Sequence, residues 1–191
     1  VDHPLAHDAL VSLRDRRTPT EHFGRAAARI SMLLVAEAMR DLPTVSATVE
    51  TPLGPAEGRR LGAHLIVVPV LRAGLSMLEA AIALVPDALV GHIGLQRDET
   101  TAVASQYYAK LPAGLEHAYV LMIDPMLATG GSAIAAIALL KRAGAKTIRM
   151  ACIVAAPEGV AIGERHHPDV HVYTTAVDRG LDDRKYIVPG L

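Results

Sequence analysis

The chain has 191 residues, of which 51% are hydrophobic and 20% charged. That balance excludes a disordered tail or a solvated arm and leaves room for one α/β domain with a real core. Nineteen Lys and Arg against 20 Asp and Glu give a formal net charge of −1, so no bulk field draws the chain to nucleic acid or an anionic membrane, and any polyanion it binds is small and gripped locally.

With no Trp and one Phe, a stacking surface for single-stranded nucleic acid is not expected. The single cysteine, Cys152, rules out an intrachain disulfide and a Cys-based zinc site, and its apolar surroundings make it a core residue. Val1-Asp2-His3-Pro4 is not a charged start followed by an apolar stretch. The longest apolar run, Ala133 to Leu140, falls far short of the roughly 20 residues of a membrane span. A cytoplasmic protein that touches no membrane and no nucleic acid is expected.

In chain order, Thr18-Pro19-Thr20-Glu21 reads as a Thr-x-x-Glu capping box with Pro at the first helical position. Phe23, Ala27, Ile30, Leu34 and Ala38 follow at helical spacing, and Leu42-Pro43 ends the helix. Leu65 to Val70 is a continuous apolar run, as a buried parallel strand requires. Leu75 to Leu84 is a helix stopped by Pro86, and Val90 to Leu95 a weaker strand. Arg97 to Tyr108 is long and polar and lacks periodicity, which suits a mobile cover loop or a plain surface loop. Strand and helix then alternate: Tyr119 to Ile123, Ser132 to Arg142 closed by Gly144, Thr147 to Ala155, Glu158 to Arg165, Val170 to Thr175. The fold class that follows is α/β, a mostly parallel central sheet flanked by helices, preceded by an N-terminal helical segment and forming a single domain over residues 1–191.

Ligands of such sheets sit beyond the carboxyl ends of the strands. That rule selects Leu71 to Gly74, Gln96 to Glu99, Asp124 to Ser132, and the tail after Val177. In the third, an apolar strand delivers Asp124, and Pro125, Met126, Leu127 and Ala128 lead into Thr129-Gly130-Gly131-Ser132 at a helix start. Paired glycines let backbone N–H groups approach a ligand closely, and the helix N-terminus adds unpaired donors and a positive dipole end. Thr129 and Ser132 add hydroxyls, so the segment reads as a phosphate cradle without a lysine. Asp124 is unsuited to the phosphate itself and could accept hydrogen bonds from ribose hydroxyls. The alternative is a turn at Gly130-Gly131 with Ser132 as an ordinary helix cap. Arg72, flanked by small residues after a strand, could meet a pyrophosphate with paired hydrogen bonds, and Arg97 is a second cation in an equivalent place. Each could equally be a surface arginine.

Gly144-Ala145-Lys146-Thr147 has Ala where a P-loop needs its second glycine. There is no Gly-x-Ser-x-Gly elbow and no His-Glu-x-x-His pair. His166-His167 reads as the polar end of a helix stopped by Pro168. Tyr107-Tyr108 reads as partly packed beneath the loop, or as a cap on a site.

Four stretches carry a resemblance: Val67-Val68-Pro69-Val70-Leu71-Arg72-Ala73-Gly74-Leu75, Asp124 to Ser132, Val154-Ala155-Ala156-Pro157-Glu158-Gly159, and Tyr186-Ile187-Val188-Pro189-Gly190-Leu191. Asp2-His3-Pro4-Leu5 extends it to the start. The sequence resembles a uracil phosphoribosyltransferase of the type I phosphoribosyltransferase superfamily. The resemblance implies transfer of the phosphoribosyl group from 5-phosphoribosyl-1-pyrophosphate (PRPP) to uracil, giving UMP and pyrophosphate in pyrimidine salvage. By the same resemblance, Arg72 and Arg97 bind the pyrophosphate, Asp124 the ribose and Ala128 to Ser132 the 5′-phosphate, while Ile187 offers backbone groups to uracil. Catalysis would rest on Asp124 and Arg97, with Mg²⁺ held mainly by PRPP and by no protein ligand directly. A homodimer or higher homo-oligomer is implied, and a GTP effector is left open. The family pattern continues after Pro-Gly-Leu with Gly-Asp-Ala-Gly-Asp, which contributes to the base and PRPP sites; here Tyr186 to Leu191 is expected to represent the base site. Ala104 and Gln106 stand where the family usually has prolines. Transfer to another nucleobase and a non-catalytic regulator of pyrimidine genes are the alternatives, the latter needing a basic face that the balanced charge does not suggest.

Overall fold

A computed structural model describes residues 1–97 and 104–191, with the side chains of residues 97, 104 and 105 outside the description. The chain opens with two helices, α1 (Pro4–Arg14) and α2 (Thr20–Ala38). Pro4 occupies the first turn of α1, where its missing N–H costs nothing, and the His3 ring accepts from the Leu5 N–H at 3.1 Å. A hairpin follows, β1 (Thr44–Thr51) and β2 (Gly54–Leu61), then β3 (His64–Leu71), α3 (Leu75–Leu84), β4 (Leu89–Val90), β5 (His92–Arg97) and β6 (Ala104–Lys110). The second half runs β7 (Ala118–Ile123), β8 (Met126–Leu127), α4 (Gly131–Arg142), β9 (Thr147–Ala155), α5 (Pro157–His166), β10 (His171–Val177), β11 (Gly180–Leu181) and β12 (Ile187–Val188).

The central sheet has the order β10-β9-β7-β3-β5-β6, with β4 attached to β3 and β8 to β9. Every pairing is parallel except β5 with β6. Its continuous apolar strands are explained by helices on both faces. Along β3 the side chains alternate: Ile66, Val68 and Val70 join a core layer with Ala136, Ile137 and Leu140 of α4. Leu65 and Val67 instead join Leu13 of α1, Ile30 and Leu34 of α2 and Met77 of α3. The parallel strands β5, β3, β7, β9 and β10 therefore end along one edge, where the informative loops lie. Among the described residues no helix is long and apolar enough to cross a membrane.

Cys152 is fully buried on β9, and burial pushes its thiol up to about 12, as befits a core residue. The expected capping box does not form: α2 begins at Thr20 behind Pro19, with no side chain capping it. Gln106, Tyr107 and Tyr108 lie in β6, where a loop was expected; residues 98–103 lie outside the described residues. The strand escaped notice because its described side chains, Gln106 to Lys110, are all exposed, so no core-facing period marks it.

Candidate active site at the carboxyl edge of the sheet

β3 and β7 are hydrogen-bonded neighbours, with Pro69 opposite Ile123. Leu71-Arg72-Ala73-Gly74 and Asp124-Pro125 therefore leave the sheet side by side. Gly74 makes this close passage possible: a Cβ there would lie 2.5 Å from the Ile123 carbonyl oxygen and 2.7 Å from the Val70 nitrogen. The Leu71–Arg72 peptide bond is cis. Arg72 is exposed, and no carboxylate of the described residues pairs with it. It lines a cavity of about 580 Å³ with Leu71, Leu95, Gln96 and Tyr107. The Tyr107 ring lies over Gly94, where a Cβ would come within 2.6 Å of it. On the far side of β3, the backbone of Arg97 ends β5 on the same edge; its side chain lies outside the description.

Asp124 is half-buried, and its N–H donates to the Ala151 carbonyl at 3.2 Å. Burial pushes its carboxyl up to about 7, and the N–H of Met126, which donates to it, pulls only partly the other way. It forms no ion pair with a cation of the described residues. A carboxylate placed so, at a strand end and half-buried, is one whose charge a ligand must stabilise.

Beyond Asp124 the chain is pinned by β8, whose Met126 and Leu127 pair with Val154 and Ala155 of β9. The Ala156 N–H donates to the Leu127 carbonyl at 2.8 Å. Gly130 then turns the backbone at φ 81° and α4 starts at Gly131 with no side chain capping its first N–H groups. Those donors have no partner within the helix and face the ligand side of the edge. The two glycines differ in surroundings. A Cβ on Gly130 would meet Ile162 Cγ2 at 3.0 Å and the Gly159 carbonyl oxygen at 3.2 Å, because α5 packs behind the turn. Among the described residues a Cβ on Gly131 would meet only Thr129 Oγ1, at 3.8 Å, so the space on that side is open and shared with a hydroxyl. The segment thus combines a left-handed glycine turn with an uncapped helix start.

The tail returns to the same edge. β11 and β12 pair antiparallel, Gly180 with Val188 and Leu181 with Ile187. Ile187 is 9% exposed as a whole residue and joins the core beneath α1 to α3, while its backbone pairs with Leu181 of β11. Leu191 walls an apolar cavity of about 340 Å³ together with Phe23, Ala73, Pro125 and Met126. The end of the tail therefore meets both the Arg72 turn and the Asp124 turn.

Reading the residues in sequence missed Asp178 and Arg14, which fasten this tail. Asp178 follows β10 as Asp124 follows β7, and an acid at a strand end was the available signal. Among the described residues no group of three or more His, Cys, Asp and Glu is placed to hold a metal ion.

A sequence model described as "Uracil phosphoribosyltransferase" matches residues 1–191. The chain belongs to the uracil phosphoribosyltransferase family. It is 50% identical over 192 aligned positions to a uracil phosphoribosyltransferase of Dictyoglomus turgidum, covering 100% of this chain and 93% of that one. Among solved structures, the AQ2163 protein from Aquifex aeolicus superposes with a TM-score of 0.95 at 34% identity, covering 100% of this chain and 92% of that one. A purine phosphoribosyltransferase from Pyrococcus horikoshii shares the fold, with a TM-score of 0.53 at 18% identity over 78% of this chain and 83% of that one. The type I phosphoribosyltransferase architecture expected from the sequence is thus the one observed.

Proposed function

We propose that this chain transfers the phosphoribosyl group of PRPP to uracil, breaking the bond from ribose C1 to the pyrophosphate oxygen and forming one to uracil N1. The observation that carries this reading is the convergence, on one sheet edge, of a half-buried carboxylate pushed up by its surroundings, an uncapped glycine-led helix start and an exposed arginine with no carboxylate partner among the described residues. Membership of the family supplies the base.

The roles follow from charge. The N–H groups and hydroxyls of Ala128 to Ser132 hold the 5′-phosphate, and the Asp124 carboxylate accepts from the ribose hydroxyls. As pyrophosphate departs, the ribose ring becomes cationic, and the ionised Asp124 beneath it favours that charge. Arg72 takes up the negative charge that accumulates on the leaving group, a role that Arg97 shares on family membership. Further neutralisation of the leaving group would be supplied there by Mg²⁺ brought with PRPP. Asp124 is the one carboxylate of the Asp124 to Ser132 segment, which suits a cation brought by the substrate. The N1 proton of uracil passes to water or to the departing pyrophosphate as the new bond forms, and uracil is oriented by backbone groups around Ile187, so positioning rather than a dedicated protein base supplies much of the rate. A cytoplasmic homodimer, and a response to GTP, belong to this reading on family membership alone.

The test is base-dependent release of pyrophosphate. Uracil is expected to support it, while cytosine, adenine and hypoxanthine are not; release with a different base would transfer the reading to that base, and none with any base would favour a regulator. Arg72→Ala is expected to raise the KM for PRPP roughly 10- to 100-fold. Arg72→Lys should recover only part of it, because an ammonium cannot make paired hydrogen bonds. Unchanged PRPP kinetics in both variants would remove Arg72 from the pyrophosphate site.

A further inference from the structure

The tail that carries the base site is held by one buried carboxylate. Asp178 has a side chain only 4% exposed. Its Oδ1 accepts from Nη2 of Arg14, the last residue of α1, and its Oδ2 accepts from the Gly190 N–H at 2.9 Å. Its own N–H donates to the Ala155 carbonyl at 2.8 Å, where β9 ends. One residue thus links the sheet edge, the N-terminal helix and the Ile187–Gly190 segment. The neighbouring bonds are aligned to the same end: the Arg179 N–H donates to the Val188 carbonyl at 3.1 Å, and Glu158 of α5 accepts from the Leu181 N–H at 3.2 Å.

We propose that Arg14 and Asp178 are positioning residues for base recognition, setting where the backbone of Ile187 to Gly190 stands over the sheet edge. The inference rests on the reading that uracil is recognised there. Gly190 is buried and turns at φ 69°, so its N–H has no water to fall back on and follows wherever the Asp178 carboxylate stands. Arg14 fixes the other oxygen of that carboxylate and so removes its freedom to rotate. Its Nε is buried without a hydrogen-bond partner among the described residues. The side chain of Arg14 serves placement: an N-terminal helix dictates the height of a C-terminal backbone segment. Arg14 touches neither substrate in this account, and its effect on uracil passes entirely through Gly190 and Val188.

Asp178→Asn and Arg14→Met, made singly and together in the full-length protein, separate placement from bulk stability. Asp178→Asn keeps the shape but can accept through only one oxygen, so Arg14 and Gly190 compete for it. Arg14→Met keeps the apolar stem at a partly exposed position, so that folding survives if the first variant is too unstable to assay. Each single variant is expected to raise the KM for uracil at least tenfold while PRPP affinity, measured by calorimetry, stays within twofold. The double variant should be little worse than the more severe single one, since both cut the same link. Uracil KM within twofold of wild type in folded variants overturns the proposal, as does a parallel loss of PRPP and uracil affinity, which would mark a merely structural pair. A wild type that releases pyrophosphate with another base but not with uracil defeats the functional reading and the inference with it, an outcome visible before any variant is made.

Discussion

Asp124→Asn is expected to lose roughly 100- to 1,000-fold in turnover with PRPP and uracil and yet to be more stable than the wild type at pH 8. Both effects have one cause. The carboxyl is pushed up to about 7 by burial, against an ordinary value near 3.8. Between those values the native state binds a proton that the unfolded chain has released, so stability falls as pH rises through that window. Above about pH 7 the charge is present and its full burial cost is carried, on the order of a few kcal/mol. Asn is nearly the same shape and bears no charge, so the slope vanishes with it. Thermal midpoints followed from pH 4 to pH 8 should converge at the acid end and separate by several degrees at the alkaline end, at roughly 2–4 °C per kcal/mol for a chain of this size. Activity should show the complementary trend: kcat/KM for PRPP in the wild type rises with pH up to about 7 and then levels, whereas the Asn variant lacks that limb. A variant of wild-type turnover would remove Asp124 from the ribose site. Coincident melting curves at pH 8 would show that its charge is satisfied in the native state.

How the site could be read in the sequence depends on whether its signals are local. Asp124 to Ser132 is a contiguous strand, turn and helix start, and each part has its own chemical reason, so the order of residues carried nearly the whole arrangement. Leu75–Leu84 was legible for the same reason, being bounded by Gly74 and Pro86. The hairpin β1–β2 was not, because its side chains are exposed or only partly covered and no apolar period marks a buried face. α1 passed unnoticed since its buried positions, Ala6, Ala9 and Leu13, are mostly small. The fastening of the tail was hidden for another reason. Arg14 and Asp178 are separated by 164 positions, and nothing in either neighbourhood names the other. Pairings set by the sheet topology become visible only once the strand order is known.

The adjacent glycines of the cradle are expected to fail in opposite ways when each is replaced by valine. Gly130→Val should damage the fold: its φ of 81° lies in the left-handed region, where a β-branched residue is strained, and the new Cβ would stand 3.0 Å from Ile162 Cγ2 and 3.2 Å from the Gly159 carbonyl oxygen. Strain and overlap together should cost about 3 kcal/mol or more, lowering the thermal midpoint by roughly 6–12 °C. The backbone oxygen cannot move aside, because α5 is held there by its own close approach to Leu127, whose carbonyl would lie 2.9 Å from a Cβ on Gly159. Gly131→Val should leave the midpoint within a degree or two. Its backbone already has a helical setting, and among the described residues the only atom within 4 Å of the new Cβ is Thr129 Oγ1 at 3.8 Å. That open side is the side from which a phosphate would approach the uncapped N–H groups, so the isopropyl group occupies the ligand's place. PRPP affinity should fall roughly 100-fold, about 2.7 kcal/mol. Calorimetric titration of the folded Gly131 variant decides the matter. Wild-type PRPP affinity there would mean that the 5′-phosphate rests elsewhere, and a collapse of its melting temperature would mean that the open side is needed by the fold rather than by the ligand.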